Sequence, residues 1–123
     1  MSDFSFLLLH VTDHAASAQL YAALLDIPIV DQKPDISLLP LRDGVMLGLW
    51  AKETVEPTSS GQTGASEVAF TVADAAAVEA THADWKRRGL TIAQAPTRMS
   101  FGTTFVALDP DGHRLRIFAP DAA

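Results

Sequence analysis

Phe6-Leu7-Leu8-Leu9-His10-Val11-Thr12-Asp13 and Glu67-Val68-Ala69-Phe70-Thr71-Val72-Ala73-Asp74 are one pattern written twice, and the repetition decides the fold. Each is an apolar run closed by an aspartate. Each leads into an Ala-rich stretch, ending at Leu25 in the first half and at Gly89 in the second. Asp13 and Asp74 stand 61 positions apart, as do Val11 and Val72. A repeat of this length sets the architecture of the whole chain. It also allows equivalent positions of the two halves to be compared directly.

Working outward from the repeat, residues 4–11 read as a strand buried on both faces. Asp13 is a good helix N-cap, and Ala15, Ala18, Tyr21, Ala22 and Leu25 supply an apolar stripe at helical spacing. Three short apolar segments follow, at about Ile27–Gln32, Ile36–Leu41 and Val45–Trp50. They are separated by turns at residues 31–35 and at Asp43-Gly44, a strong hairpin signal. Lys52–Ala65, with Pro57, Ser59, Ser60, Gly61 and Gly64, has linker composition. The second half repeats the order. Ser66–Val72 is a strand, Asp74 caps a helix running to Arg88 and closed by Gly89, and strands follow at Leu90–Gln94, Thr103–Leu108 and His113–Phe118. Each half reads βαβββ, with module one at about 4–52, a linker at about 53–65 and module two at about 66–120.

Composition bounds the function. A chain of 123 residues with 48% hydrophobic content is one domain with a real core. No apolar run approaches the roughly 20 residues of a membrane span, and the start lacks the basic n-region of a signal peptide. The absence of cysteine removes disulfides and thiol nucleophiles and fits a cytoplasmic setting. A net charge of −6 argues against a nucleic-acid partner. The Lys86-Arg87-Arg88 cluster closes a helix, where cations suit the negative end of the dipole.

The doubled βαβββ order, the Val-x-Asp opening each helix and Asp109-Pro110-Asp111-Gly112-His113 before the last strand resemble the vicinal oxygen chelate superfamily. That superfamily includes glyoxalase I, extradiol dioxygenases, fosfomycin-resistance enzymes and bleomycin-resistance proteins. The resemblance covers essentially the whole chain. It implies an α+β fold in which two βαβββ modules form a curved mixed sheet with helices on the outer face, ligand pockets between the halves, and a dimer. Enzymes of the superfamily bind a divalent metal through His and Glu on the first and last strands of each module. Those positions fall here at Phe6, Gly48, Glu67 and Arg116. A catalytic metal needs about three N or O donors. Phe6 and Gly48 have none, Arg116 is a fixed cation, and Glu67 alone remains, so neither metal nor cofactor is expected.

Strand alternation sorts the other residues. With Phe6, Gly48, Glu67 and Arg116 on the cavity face, Leu8, His10, Met46, Trp50, Ala69, Thr71, Arg114 and Phe118 share it. Leu7, Leu9, Leu47, Leu49, Val68, Phe70, Val72, Leu115 and Ile117 then face the helices, and this second set is wholly apolar, as a core should be. Phe101, Thr103 and Phe105 are placed on the cavity face as well, and Met99 beside ligand or partner. Such a surface suits a flat, largely apolar ligand held by a few polar contacts. Met46-Leu47-Gly48-Leu49-Trp50 and Phe101-Gly102-Thr103-Thr104-Phe105 resemble the phenazine-antibiotic resistance branch, whose members sequester a planar tricyclic drug at a dimer interface without metal or turnover.

The expected ligand-binding set is therefore Trp50, Phe6, His10, Met46, Gly48, Glu67, Met99, Phe101, Thr103, Phe105, Arg114 and Arg116, with no catalytic residue. Several positions keep a second reading. Trp50 stacks on the ligand or seals a core rim or interface; Trp85, spaced with Val78 and His82, belongs to the core. Arg116 pairs with Glu67 or, like Arg114, receives a ligand carboxylate. His10 is a ligand contact, a base or merely hydrogen-bonded. His14 and His82, on helices, read as structural or solvated, and His113, after a turn, as part of the loop pattern of the resemblance rather than as catalytic. Ser59-Ser60 shows no His and Asp arrangement to activate it. The expectation is metal-free sequestration of a planar aromatic, phenazine-type antibiotic by a cytoplasmic homodimer. The alternative is an isomerase or lyase with a departed active site, using His10 or Glu67 as base.

Overall fold

Asp13 and Asp74 each carry the chain from a strand into a helix, and their carboxylates do the same work. Asp13 Oδ1 accepts from the Ala16 amide at 3.1 Å and Asp74 Oδ1 from the Ala77 amide at 2.9 Å, satisfying amides that a helix start leaves unpaired. The computed structural model describes residues 4–59, 61 and 66–121. They form two compact units, Met1–Gly61 and Gln62–Ala123, each a four-stranded mixed sheet with one helix.

In module one the elements are β1 (Phe6–Val11), α1 (His14–Leu25), β2 (Asp31–Gln32), β3 (Ile36–Arg42) and β4 (Val45–Ala51), followed by a single 3-10 turn, Lys52–Thr54. The sheet order is β1-β4-β3-β2, with β1 parallel to β4 and the other pairs antiparallel. Module two repeats this with β5 (Glu67–Thr71), α2 (Ala75–Arg87), β6 (Thr91–Met99), β7 (Gly102–Leu108) and β8 (Arg114–Pro120), in the order β5-β8-β7-β6. A parallel pair needs a crossover, and in both modules the helix supplies part of it and covers one face.

Leu9, Val11, Leu39, Leu47 and Leu49 are buried beneath α1, whose own buried residues are Ser17, Ala18 and Tyr21. Ala15, expected in the buried stripe, is exposed, and Ser17 takes the inner position. His14 lies at the edge of this layer, with Nδ1 2.8 Å from the Ser37 hydroxyl and Nε2 2.9 Å from the Pro34 carbonyl. In module two, Leu115 and Ile117 are buried together with Val78 and Trp85 of α2. Two strands differ in extent from the sequence reading. β2 is two residues long, and β6 runs on to Met99, with register shifts between Ile92 and Thr97.

Phe105 and Thr103 are corrections to the sequence reading. Phe105 is fully buried, with its ring centroid 5.6 Å from that of Trp85 and 5.4 Å from that of His82 on α2. It pairs with Ile117, and Thr103 with Ala119, so both belong to the helix side, while Thr104 and Val106 pair with Phe118 and Arg116 on the open side. The alternation fails because Phe101 sits in the turn before β7 and Gly102, at φ 140°, resets the register. A Cβ at Gly102 would collide with the Ala119 carbonyl oxygen of β8, so the reset requires glycine. Phe105→Ala is expected to lower stability by about 3–5 kcal/mol. Urea unfolding checks this; a change below about 1 kcal/mol would contradict the core assignment.

Candidate functional site

The open face of module two is organised around Arg116. Parallel pairing sets Glu67 opposite Arg114 and the small Ala69 opposite Arg116. Arg116 therefore leans back along the sheet to Glu67. Its Nε donates to Glu67 Oε2 at 3.1 Å and its Nη2 to Oε1 at 3.2 Å, engaging both carboxylate oxygens. Arg114 Nε lies 3.1 Å from Oε1. On the other side, Arg116 Nη1 donates to the Thr104 hydroxyl at 3.1 Å and to Gln94 Oε1 at 3.4 Å. Thr104 in turn donates to the Ile117 carbonyl at 2.9 Å. The guanidinium lies 5.8 Å from the centroid of the Phe101 ring, which meets Phe118 edge to face at 5.9 Å. Met99 joins this group through Gln94, whose Nε2 donates to Met99 Sδ at 3.6 Å.

Exposure decides how much this network is worth. The Arg116 side chain is 14% exposed, that of Glu67 36% and that of Arg114 47%. A freely solvated pair contributes about 0.2–1 kcal/mol, whereas charge-assisted hydrogen bonds on a largely covered guanidinium contribute about 1.5–3. Arg116 is thus a fixed, oriented cation, and Arg114 a more solvated one. Two arginines against one glutamate leave one positive charge over.

Module one presents a different surface. Phe6, Leu8 and His10 pair with Met46, Gly48 and Trp50, while Ile36, Leu38 and Pro40 flank β4 on its other side. Leu8 lies over Gly48: a Cβ built there would stand 2.5 Å from Leu8 Cδ2 and 3.3 Å from Leu38 Cδ2. The missing side chain admits neighbouring leucines, and the floor is apolar. At the far end His10 meets Trp50 edge to face, with centroids 6.1 Å apart, and His10 Nδ1 is 2.8 Å from the Ser59 hydroxyl. Trp50 Nε1 is buried and has no hydrogen-bond partner among the described residues.

The family model of the glyoxalase/bleomycin resistance protein/dioxygenase superfamily matches residues 4–117. The chain belongs to this superfamily. A protein from Agrobacterium tumefaciens, solved by solution NMR, is 44% identical to it, with 99% of this chain and 100% of that one aligned at a TM-score of 0.89. A family enzyme from Burkholderia phytofirmans is 21% identical over 98% of this chain and 100% of that one, at a TM-score of 0.82. Lactoylglutathione lyase from Agrobacterium tumefaciens is 16% identical over 97% of this chain and 94% of that one, at 0.75. The last two share the fold. No curated protein matches the sequence.

The glyoxalase superfamily's metal does not fit these residues. On module one the relevant strands carry Phe6 and Gly48, without donors, and Leu8 fills the space beside Gly48. On module two both oxygens of Glu67 already accept from guanidinium groups, and Arg116 repels a cation. Among the described residues no group of three His, Asp or Glu side chains is gathered for a metal ion.

Of the expected ligand contacts, the structure gathers Phe6, His10, Met46, Gly48 and Trp50 on one face of module one. It gathers Glu67, Met99, Phe101, Arg114 and Arg116 around one cluster in module two. Thr103 and Phe105 are removed by the register. Glu67 with Arg116 takes the ion-pair reading, and Trp85 is core, 3% exposed. His113 is structural: it is buried, its amide donates to Asp109 Oδ1 at 2.8 Å, and Nδ1 lies 3.2 Å from the Ser66 hydroxyl. Sequence reasoning missed Thr104 and Gln94, the second pair of arms on Arg116. It also missed Ser59, which is not remote from a histidine but bonded to His10; Ser60 lies outside the described residues. A double-mutant cycle of Glu67→Gln and Arg116→Gln, read by denaturant unfolding, is expected to give a coupling of about 1–2 kcal/mol that shrinks at high salt.

Proposed function

We propose that this protein binds a planar aromatic small molecule of phenazine type without a metal, and sequesters it rather than turning it over. The observation that carries this reading is Trp50. Its indole lies on the face of the sheet opposite α1, beside His10 and next along that face from Gly48 with Leu8 over it, and its Nε1–H has no acceptor among the described residues. A buried donor left unpaired costs about 1–3 kcal/mol. A flat heteroaromatic with a ring nitrogen would stack on this surface and supply the acceptor, and aromatic stacking adds roughly 0.5–1.5 kcal/mol beyond burial. The superfamily's metal-ligand positions, held here by apolar side chains and an arginine-bound glutamate, support a metal-free mode. Phe101 and Phe118 beside Arg116 offer a further aromatic surface in module two. Arg116 is already committed to Glu67, Gln94 and Thr104, so an acid group on the ligand falls to the more exposed Arg114. In this reading the working form is a cytoplasmic homodimer, and binding confers resistance.

A second reading, an isomerase or lyase with a departed active site, rests on the His10–Ser59 pair, which places an imidazole and a hydroxyl beside Trp50. Glu67 is a poor base here because arginines occupy both of its oxygens. Tryptophan fluorescence separates the readings. Titration in EDTA with phenazine and with a phenazine carboxylate is expected to quench saturably, near one ligand per chain. Quenching is lost in Trp50→Ala and retained in Trp85→Phe. Conversion of the ligand, abolished by His10→Gln, would favour the enzyme; quenching by neither compound would overturn the phenazine assignment.

A further inference from the structure

At the opposite end of β4 from Trp50, a hollow of about 500 Å³ opens between the start of β1 and the β3–β4 hairpin. Its volume lies within the range of small-molecule sites, about 300–1,000 Å³. Trp50 lies four positions along β4 from Met46, about 13 Å at strand spacing, so this is a separate place on the sheet. Phe6, Pro40 and Met46 give it a contiguous apolar wall, since Met46 pairs with both of the others. Ser5, Arg42 and Asp43 are its polar members. The ladder shifts register between Pro40 and Arg42, and such a bulge re-aims the side chains next to it. Gly44, at φ 77°, then closes the hairpin.

Arg42 distinguishes this hollow. Arg114 and Arg116 share Glu67, Arg87 and Arg88 share Asp84, and Arg98 pairs with Asp121. Arg42 makes no ion pair or side-chain hydrogen bond with any described residue, although Asp43 is its neighbour in the chain. We infer that the hollow is a binding site for a small aromatic monocarboxylate. The ring lies against Phe6, Pro40 and Met46, the carboxylate is taken by the Arg42 guanidinium, and Ser5 offers a further hydrogen bond. A planar fork matches a carboxylate better than a point charge does. Asp43 sets the charge limit, because a second negative group on the ligand would meet it. The inference goes beyond the sequestration reading and does not depend on it.

The test is a ¹⁵N-resolved NMR titration of the whole chain with 2-naphthoate and, separately, with the neutral 2-naphthylmethanol. Naphthoate is expected to shift the Gly44, Val45 and Met46 amides saturably, and the alcohol to bind about tenfold more weakly, the difference a charge-assisted contact makes. Arg42→Gln should bring naphthoate down to the level of the alcohol. Asp43→Asn, which keeps a good turn residue, should tighten naphthoate about two- to threefold by removing a like charge. Shifts confined to the Arg114–Arg116 strand would overturn the assignment. So would an unchanged affinity in Arg42→Gln, or equal binding of acid and alcohol. Phenazine quenching at Trp50 is a separate readout, and either result can fail while the other stands.

Discussion

The parallel pairing of the first and last strand of each module is the constraint from which the other features follow. β1 with β4, and β5 with β8, cannot be joined by a tight turn. The chain must cross over, and the Asp-capped helix is part of how it does so. Once the helix covers one face, every second residue of the strands is committed to the core. The residues in between are left for chemistry. Leu47 and Leu49 are buried while Met46 and Trp50 are not, and Leu115 and Ile117 are buried while Arg114 and Arg116 are not. In β4 and β8 the core side chains and the open ones divide by parity.

The same scaffold position then carries opposite chemistry in the two modules. Where module one has an exposed Phe6 and a Gly48 with Leu8 and Leu38 over it, module two has Glu67 and an arginine held from both sides. The polar cluster stays at the surface of its sheet because Arg116 must find acceptors for a largely covered guanidinium. Thr104 and Gln94 supply them alongside Glu67. The group is therefore held in one geometry by its own hydrogen bonds.

Much of this was legible in the sequence, for reasons tied to particular residues. The repeat of Val-x-Asp located both helix starts, and an apolar set at alternate positions located the buried faces of β4 and β8. Phe105 was misplaced because periodicity holds only while backbone geometry is regular. Gly102, with a φ that only glycine adopts at ease, breaks the count between Phe101 and Phe105. Ala15 and Ser17 exchanged roles because alanine and serine differ too little in size and polarity for spacing alone to fix which is inside. The bond from His10 to Ser59 spans 49 residues, and no local pattern encodes it. Thr104 and Gln94 escaped notice because neutral hydrogen-bonding residues become functional only through the charged group they hold.

The Glu67–Arg114–Arg116 trio is coupled, so a change at one member alters the others. Glu67 faces two cations, so its loss would leave Arg114 and Arg116, two positions apart on one face of β8, with no carboxylate between them. Loss of Arg116 would leave Thr104 and Gln94 turned toward an absent donor and Glu67 with Arg114 only. Removing one partner of a covered pair costs more than the pair itself contributes, because the survivor keeps its desolvation penalty. Changing Arg116 alone to a metal-binding residue therefore does not make a metal site in module two. A carboxylate or imidazole placed at 116 would give two donors with Glu67, short of the roughly three that a catalytic metal needs, and Arg114 would still hold Glu67 Oε1 at 3.1 Å. More than one position of the cluster has to change before its donors fit a metal.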